Sequence, residues 1–182
     1  MDIRVRLANP PAELVAKYTK KERQFFSDYA RTVLQLISRQ EVQGLLGQMI
    51  DREGIMSGGL IDLRVMMFPA RPLNGRPRNM LHGSYSHDAS QISLYPLKIP
   101  REWIRKTGYE LFRVPYGDLS SEARKLLREI QVSTISTLVH EVLHVKFGNS
   151  GISRYAEEAI VRKLEKRYMQ DWEHRLSSLL VA

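Results

Sequence analysis

Residues 120–147 read SSEARKLLREIQVSTISTLVHEVLHVKF, and this stretch decides what kind of fold the chain can adopt. Ser120-Ser121-Glu122 is a helix start, because a serine hydroxyl accepts from the free N–H groups of a first helical turn. Val132, Ile135, Leu138, Val139, Val142 and Leu143 then recur at spacings of three and four, which predicts a helix with one apolar face running to Phe147. Gly148 supplies its stop. Inside this helix lies His140-Glu141-Val142-Leu143-His144, in which two imidazoles at i and i+4 share one helix face and can grip one metal ion. Neutral imidazole nitrogens suit zinc, and three protein ligands leave a fourth position for a water of lowered pKa. Glu141, beside the first ligand, is placed to take that water's proton. A lone Glu between two His, in a chain without cysteine, fits a catalytic site better than a purely structural one.

Helix geometry narrows the third ligand. If the helix ends near Phe147, His144 and His140 lie ~4.5 and ~10.5 Å from its end. A turn over 148–151 leads to Ser153, an N-cap for a last helix through Tyr168 and Trp172. On that helix, folded back antiparallel, Glu157 and Glu158 lie ~6 and ~7.5 Å from the turn, whereas Glu165 lies ~18 Å away. Glu157 shares a face with Ile160, Val161 and Leu164, which favours it; Glu158, sharing one with Arg162 and Glu165, is the alternative.

Outward from this hairpin the chain reads as a mixed α+β protein of one domain over 1–182, a length that one core usually serves. An extended start is broken at Asn9-Pro10-Pro11, and Thr19-Lys20-Lys21-Glu22 has capping-box spacing at the head of a long helix. That helix is expected to kink near Gly44 and Gly47 and to stop at Gly54 or at Gly58-Gly59. Residues 60–68 alternate like a strand, 69–79 form a basic Pro/Gly-rich loop, and 80–85 and 91–97 read as a strand pair. Tyr95-Pro96 marks 91–97 as a candidate open edge, because Pro is tolerated at edges and strand ends. A short helix is expected near Trp103. His82 and His87 read as loop residues, with the rim of a cleft as the alternative.

Composition bounds the partners. Zero Cys excludes a disulfide framework and a thiol nucleophile, so a metal site must use His and carboxylate. The net charge of +8 leaves nucleic acid open as a partner, but the basic residues are scattered and no aromatic-basic binding motif accompanies them. No apolar run approaches the ~20 residues of a membrane span and no signal-peptide pattern opens the chain, which predicts a soluble, cytoplasmic protein without a membrane partner.

The motif His140-Glu141-Val142-Leu143-His144, followed by Tyr155-Ala156-Glu157-Glu158-Ala159-Ile160-Val161, resembles the gluzincin metallopeptidases, and the short spacer is most similar to the small members called minigluzincins. The resemblance is specific over residues 132–164 and elsewhere extends to the order of elements. It implies a zincin-like fold with an N-terminal backing helix, a small mixed sheet whose edge strand holds an extended peptide or protein substrate, an active-site helix and a glutamate helix. It also implies zinc held by His140, His144 and Glu157 or Glu158, with Glu141 as the catalytic base. The sequence departs from larger members at the offset of four after the ligand Glu, where Val161 or Arg162 replaces an orienting Asp. Tyr155, Tyr168 and His174 are the positional candidates for an oxyanion stabiliser. A DNA-associated protease of the SprT-like kind, whose third ligand is His or Cys, and a non-catalytic zinc-binding module are the alternatives. The apolar tail 176–182 either continues the stripe of the last helix or docks in the cleft, the second implying a latent enzyme or self-association.

Overall fold

The alternation over residues 60–68 is realised as strand β2 (Leu60–Val65), in which Ile61, Leu63 and Val65 are buried and Leu60, Asp62 and Arg64 face the other way. The computed structural model describes residues 2–55, 60–70, 82–148 and 150–180. Strand β1 (Asp2–Leu7) pairs with β2 in parallel, Val5 opposite Leu63. On the other side of β2 runs β4 (Gln91–Leu94), also parallel, with Leu63 opposite Ile92 and Val65 opposite Leu94. β3 (Gly83–Ser86) pairs antiparallel to β4, giving the mixed order β1-β2-β4-β3. Because side chains alternate across a strand, this register puts one apolar face under the helices. The opposite face carries Arg6 and Arg64, both bound to Asp62 at 2.6 and 3.0 Å.

One expectation is corrected here. β4 lies between two strands, so 91–97 is not an open edge; among the described residues the edges are β1 and β3, and β3 is the one that lines the cleft beside α5. Pro96 follows the end of β4, where its missing N–H interrupts no ladder. Met80 and Leu81, the start of the expected strand pair, and most of the basic loop fall outside the described residues.

The helices are α1 (Ala12–Val15), α2 (Lys20–Ile37), α3 (Gln40–Glu53), α4 (Arg101–Lys106), α5 (Ser121–Val145), α6 (Arg154–Asp171) and α7 (Glu173–Leu179). Phe25, Tyr29 and Val33 of α2 and Ile135, Leu138 and Val142 of α5 join Leu63 and Ile92 of the sheet in one buried cluster. The α+β class expected from the sequence is thus observed. The single long helix expected after Thr19 is two. The chain breaks at Ser38–Arg39, where the Gln43 amide donates to the Ile37 carbonyl at 2.7 Å and Arg39 donates to the Leu179 carbonyl at 2.7 Å. Gly44 and Gly47 lie within a continuous α3, and Gly54, at φ 59°, ends it. The last helix is divided at Trp172, and Leu176 and Leu180 are buried in the core cluster, so the tail as far as Leu180 packs as helix and not in the cleft. Val181 and Ala182 lie outside the described residues. Among those residues no helix is long and apolar enough to cross a membrane.

Two carboxylates tie these helices together, Glu22 fully buried and Glu53 partly so. Glu53, at the end of α3, accepts from Tyr168 Oη at 2.5 Å, Arg167 at 2.7 Å and Lys146 at 3.0 Å, joining α3 to α6 and the end of α5. Glu22 completes the capping box of α2, accepting from the Thr19 N–H at 2.8 Å, and also receives Arg101 of α4 through Nε at 2.7 Å and Nη2 at 2.8 Å. The Arg101 pairing, opposed by burial and aided by Thr19, lowers the Glu22 pKa to about 2. A depressed folded pKa adds stability above the unfolded value and loses it as pH falls. Stability at neutral pH should therefore drop by about 1–3 kcal/mol in Glu22→Gln, which keeps the cap but not the charge. In urea titrations stepped from pH 5 to pH 2, the wild-type curve should fall toward that of the variant; parallel curves would show that this pair does not contribute.

Candidate metal centre

Every group of the site is positioned by α5, α6 and β3. Ser120 caps α5 by accepting from the Ala123 N–H at 3.1 Å, and the apolar face of the helix then buries Leu138, Val139, Val142 and Leu143. With those positions turned to the core, His140 and His144 emerge one turn apart on the side facing α6, mostly buried, their Nε2 atoms 3.1 Å apart. Ser153 caps α6 in the same way, accepting from the Ala156 N–H at 3.3 Å.

Three carboxylates of α6 meet the two rings. His144 Nδ1 donates to Glu157 Oε1 at 2.5 Å, and His140 Nδ1 donates to Glu165 Oε2 at 2.9 Å. Ser136, one turn before His140, donates to the other oxygen of Glu165. An ionised carboxylate only accepts, so these bonds put the imidazole protons on Nδ1 and leave both Nε2 atoms as bare lone pairs. Those lone pairs point at the third carboxylate: Glu158 Oε1 is 3.6 Å from His140 Nε2, and Oε2 is 3.4 Å from His144 Nε2. With both rings neutral, two imidazole acceptors and an anion converge on one point, a costly arrangement unless a cation, or a proton on one of the Nε2 atoms, lies between them. Around a tetrahedral ion with bonds of about 2.0–2.1 Å, ligand atoms stand about 3.3–3.4 Å apart, and the observed 3.1, 3.4 and 3.6 Å bracket that value. His140, His144 and Glu158 are the residues that could hold such an ion.

The electrostatics follow from this crowding. Burial works against a charged His140, yet its bond to Glu165 and the charges of Glu141, Glu165 and Glu158 raise its pKa. Burial also opposes ionisation of Glu158 and Glu165, but Arg162 lowers the pKa of the first and His140 with Ser136 that of the second. Glu141 differs. It is 7% exposed and makes no ion pair, and burial, reinforced by Glu158 and Glu165 and opposed by His140, lifts its carboxyl to about 7, where a group can both take and return a proton.

Glu141 faces an open cleft of about 1310 Å³ between α5, the start of α6 and β3. Gly83 brings the edge strand close: a Cβ there would lie 2.7 Å from Glu141 Oε1, 2.9 Å from Glu141 Cγ and nearer still to Thr137 Cγ2. Only glycine lets β3 pass directly over the carboxylate. His82 and His87 are loop residues on either side of β3, as expected, and both also line the cleft, so the rim reading holds as well. The His87 ring fills the space that a side chain at Gly148 would need, and its Nδ1 is 3.3 Å from Tyr85 Oη.

The structure brings together His140, Glu141, His144, Glu157 and Glu158, and gives the two acids different partners. Glu157 reaches Nδ1 of His144; Glu158 reaches both Nε2 atoms. Ile160 is 41% exposed, but Val161 is buried and Leu164 packs against the core, so Glu157 and Glu158, 21% and 35% exposed, both belong to the side of α6 that faces α5. Glu165 was missed, placed too far along an ideal hairpin, although its i+7 relation to Glu158 was a legible signal. Of the candidate oxyanion stabilisers, Tyr155 lines the cleft, Tyr168 is bound to Glu53 and His174 is exposed on α7.

Gly83→Ala should destabilise the fold by about 1–3 kcal/mol, as overpacking does. Thr137→Ser, which deletes the nearest obstructing methyl, should recover part of that loss in the double variant. Simple additivity in thermal or urea unfolding would show that β3 and α5 do not meet at this point.

Comparison of the chain with family models, curated proteins and solved structures found no match.

Proposed function

We propose that this chain is a zinc-dependent peptidase on a zincin-like fold, with His140, His144 and Glu158 as metal ligands and Glu141 as general base. The observation that carries the proposal is the convergence of three acceptors on one point with a buried, unpaired glutamate beside it. Two imidazoles and a carboxylate are a usual set for catalytic zinc, harder metals preferring all-oxygen sites. When bound, zinc supplies Lewis acidity to a carbonyl and acidifies a water.

The chain's own residues do the rest. Glu157 and Glu165 hold the rings by their Nδ1 protons, fixing tautomer and orientation and raising ligand basicity. Arg162 steadies Glu158 through a 2.7 Å bond. Glu141, held near neutrality, takes the proton of the attacking water and delivers it to the departing amine. β3 offers an edge on which an extended peptide can lie as a further strand, with Gly83 keeping that strand close to Glu141. This edge favours a peptide over a compact small molecule.

The SprT-like alternative needs a His or Cys as third ligand, and His174, the remaining downstream imidazole, lies on α7 away from the site. Its charge argument is weakened as well, since Arg101 and Arg105 are bound to Glu22 and Lys106 to Glu102. Arg71, Arg76 and Arg78 lie outside the described residues.

Purified protein should carry about one zinc per chain by elemental analysis, and His140→Ala with His144→Ala should abolish it; full occupancy in that double variant would overturn the assignment. Glu158→Ala should lower zinc affinity more than Glu157→Ala, with Glu157→Gln and Glu165→Gln each costing about 10–100-fold. Glu141→Gln should keep its zinc and lose peptide cleavage by at least about 10²–10⁴-fold.

A further inference from the structure

Three of the cleft's four acids are committed and the fourth is buried. Glu157 and Glu165 hold the imidazoles, Glu158 faces the Nε2 pair, and Glu141 is buried beneath Gly83. Its cations are not all committed. Arg162 is bound to Glu158, but Arg154, which also lines the cleft, is exposed and has neither hydrogen bond nor ion pair among the described residues. On either side of it in this connection stand Ile152, 39% exposed, and Tyr155, 88% exposed, both of which line the same cleft. They are two of the five large apolar side chains left exposed among the described residues. The rim beside the α5–α6 turn therefore presents one free positive charge framed by apolar surface, and the cleft's one unpaired acid, Glu141, is buried away beneath Gly83.

We infer that Arg154 selects substrates that carry a carboxylate close to the scissile bond, next to an apolar or aromatic residue that covers Ile152 and Tyr155. The inference rests on the peptidase reading above and deepens it by naming a substrate class, acidic-apolar peptide segments. An acidic side chain and a C-terminal carboxylate present the same group, and both would be recognised by a guanidinium. A lysine at that position would meet repulsion from Arg154, where a glutamate meets attraction. Because the guanidinium is solvent-exposed, the discrimination is modest, about three- to tenfold between Glu and Lys, and should shrink as salt screens it.

The test uses the full chain loaded with zinc and a set of peptides identical except for Glu, Gln or Lys at one position on each side of the cleaved bond, each made as free acid and as amide. Cleavage is read as kcat/KM for wild type, Arg154→Ala and Arg154→Glu. Binding is read in parallel by fluorescence anisotropy on Glu141→Gln with and without Arg154→Glu. Wild type should favour Glu over Lys, Arg154→Ala should flatten the ratio, and Arg154→Glu should invert it in both assays, each effect weakening between low and high salt. Persistence of the preference in amidated peptides assigns the carboxylate to a side chain; its restriction to free acids assigns it to a chain terminus. Cleavage with a Glu-to-Lys ratio that Arg154→Glu leaves unchanged overturns the inference and spares the peptidase reading. Absence of cleavage from every peptide overturns the peptidase reading, and the binding ratio then decides alone whether Arg154 recognises the carboxylate.

Discussion

Two imidazole lone pairs and a carboxylate aimed at one point are mutually repulsive, and much of the architecture serves to hold them there. The rings cannot turn away, because Glu157 and Glu165 bind their Nδ1 protons. Those acids cannot retreat, because they share α6 with Val161 and Tyr168, which are buried. α6 in turn is fastened through Tyr168 and Arg167 to Glu53, the same carboxylate that receives Lys146 just beyond the end of α5. One partly buried acid at the end of α3 thus fixes the spacing of the two helices that bear the site. Removing either partner of such a partly buried set leaves an uncompensated charge, which is why these contacts are expected to act together and not as independent increments.

The division of labour among the acids follows from environment. Four glutamates lie within one cleft, yet Glu157, Glu158 and Glu165 each have a cationic or hydrogen-bonding partner, whereas Glu141 has burial alone. Partners favour the charged form and burial disfavours it, so groups of identical chemistry part ways: Glu158 and Glu165 are lowered and Glu141 is raised.

How much of this was legible depended on range. Thr19, Ser120 and Ser153 all cap the helices they were expected to open, because a cap is made by residues two or three positions away. The pair His140 and His144 was legible for the same reason. The break between α2 and α3 was not, since it involves a bond from Arg39 to Leu179 across the whole chain. Strand order was hidden too: nothing local in 91–97 reveals that β3 covers its outer side. The choice between Glu157 and Glu158 turned on helix phase, in which one residue is a rotation of about 100°. Sequence pattern located the hairpin and its candidates, and tertiary packing gave each of them its partner.

The sparse burial of α6 has a further consequence. Of its 18 residues only Val161 and Tyr168 are fully buried, with Leu164 and Met169 packed partly buried against the core, and its other attachments are polar, many of them in the site itself. A helix held in this way belongs to the low-stability end of a fold and opens independently of the core. Chelation should therefore raise amide exchange in α6 well before it affects the core amides of α2 and α5. If the proposed metal is held there, α6 would be the part of the fold whose order depends on it, while the sheet and the helices over it keep their own.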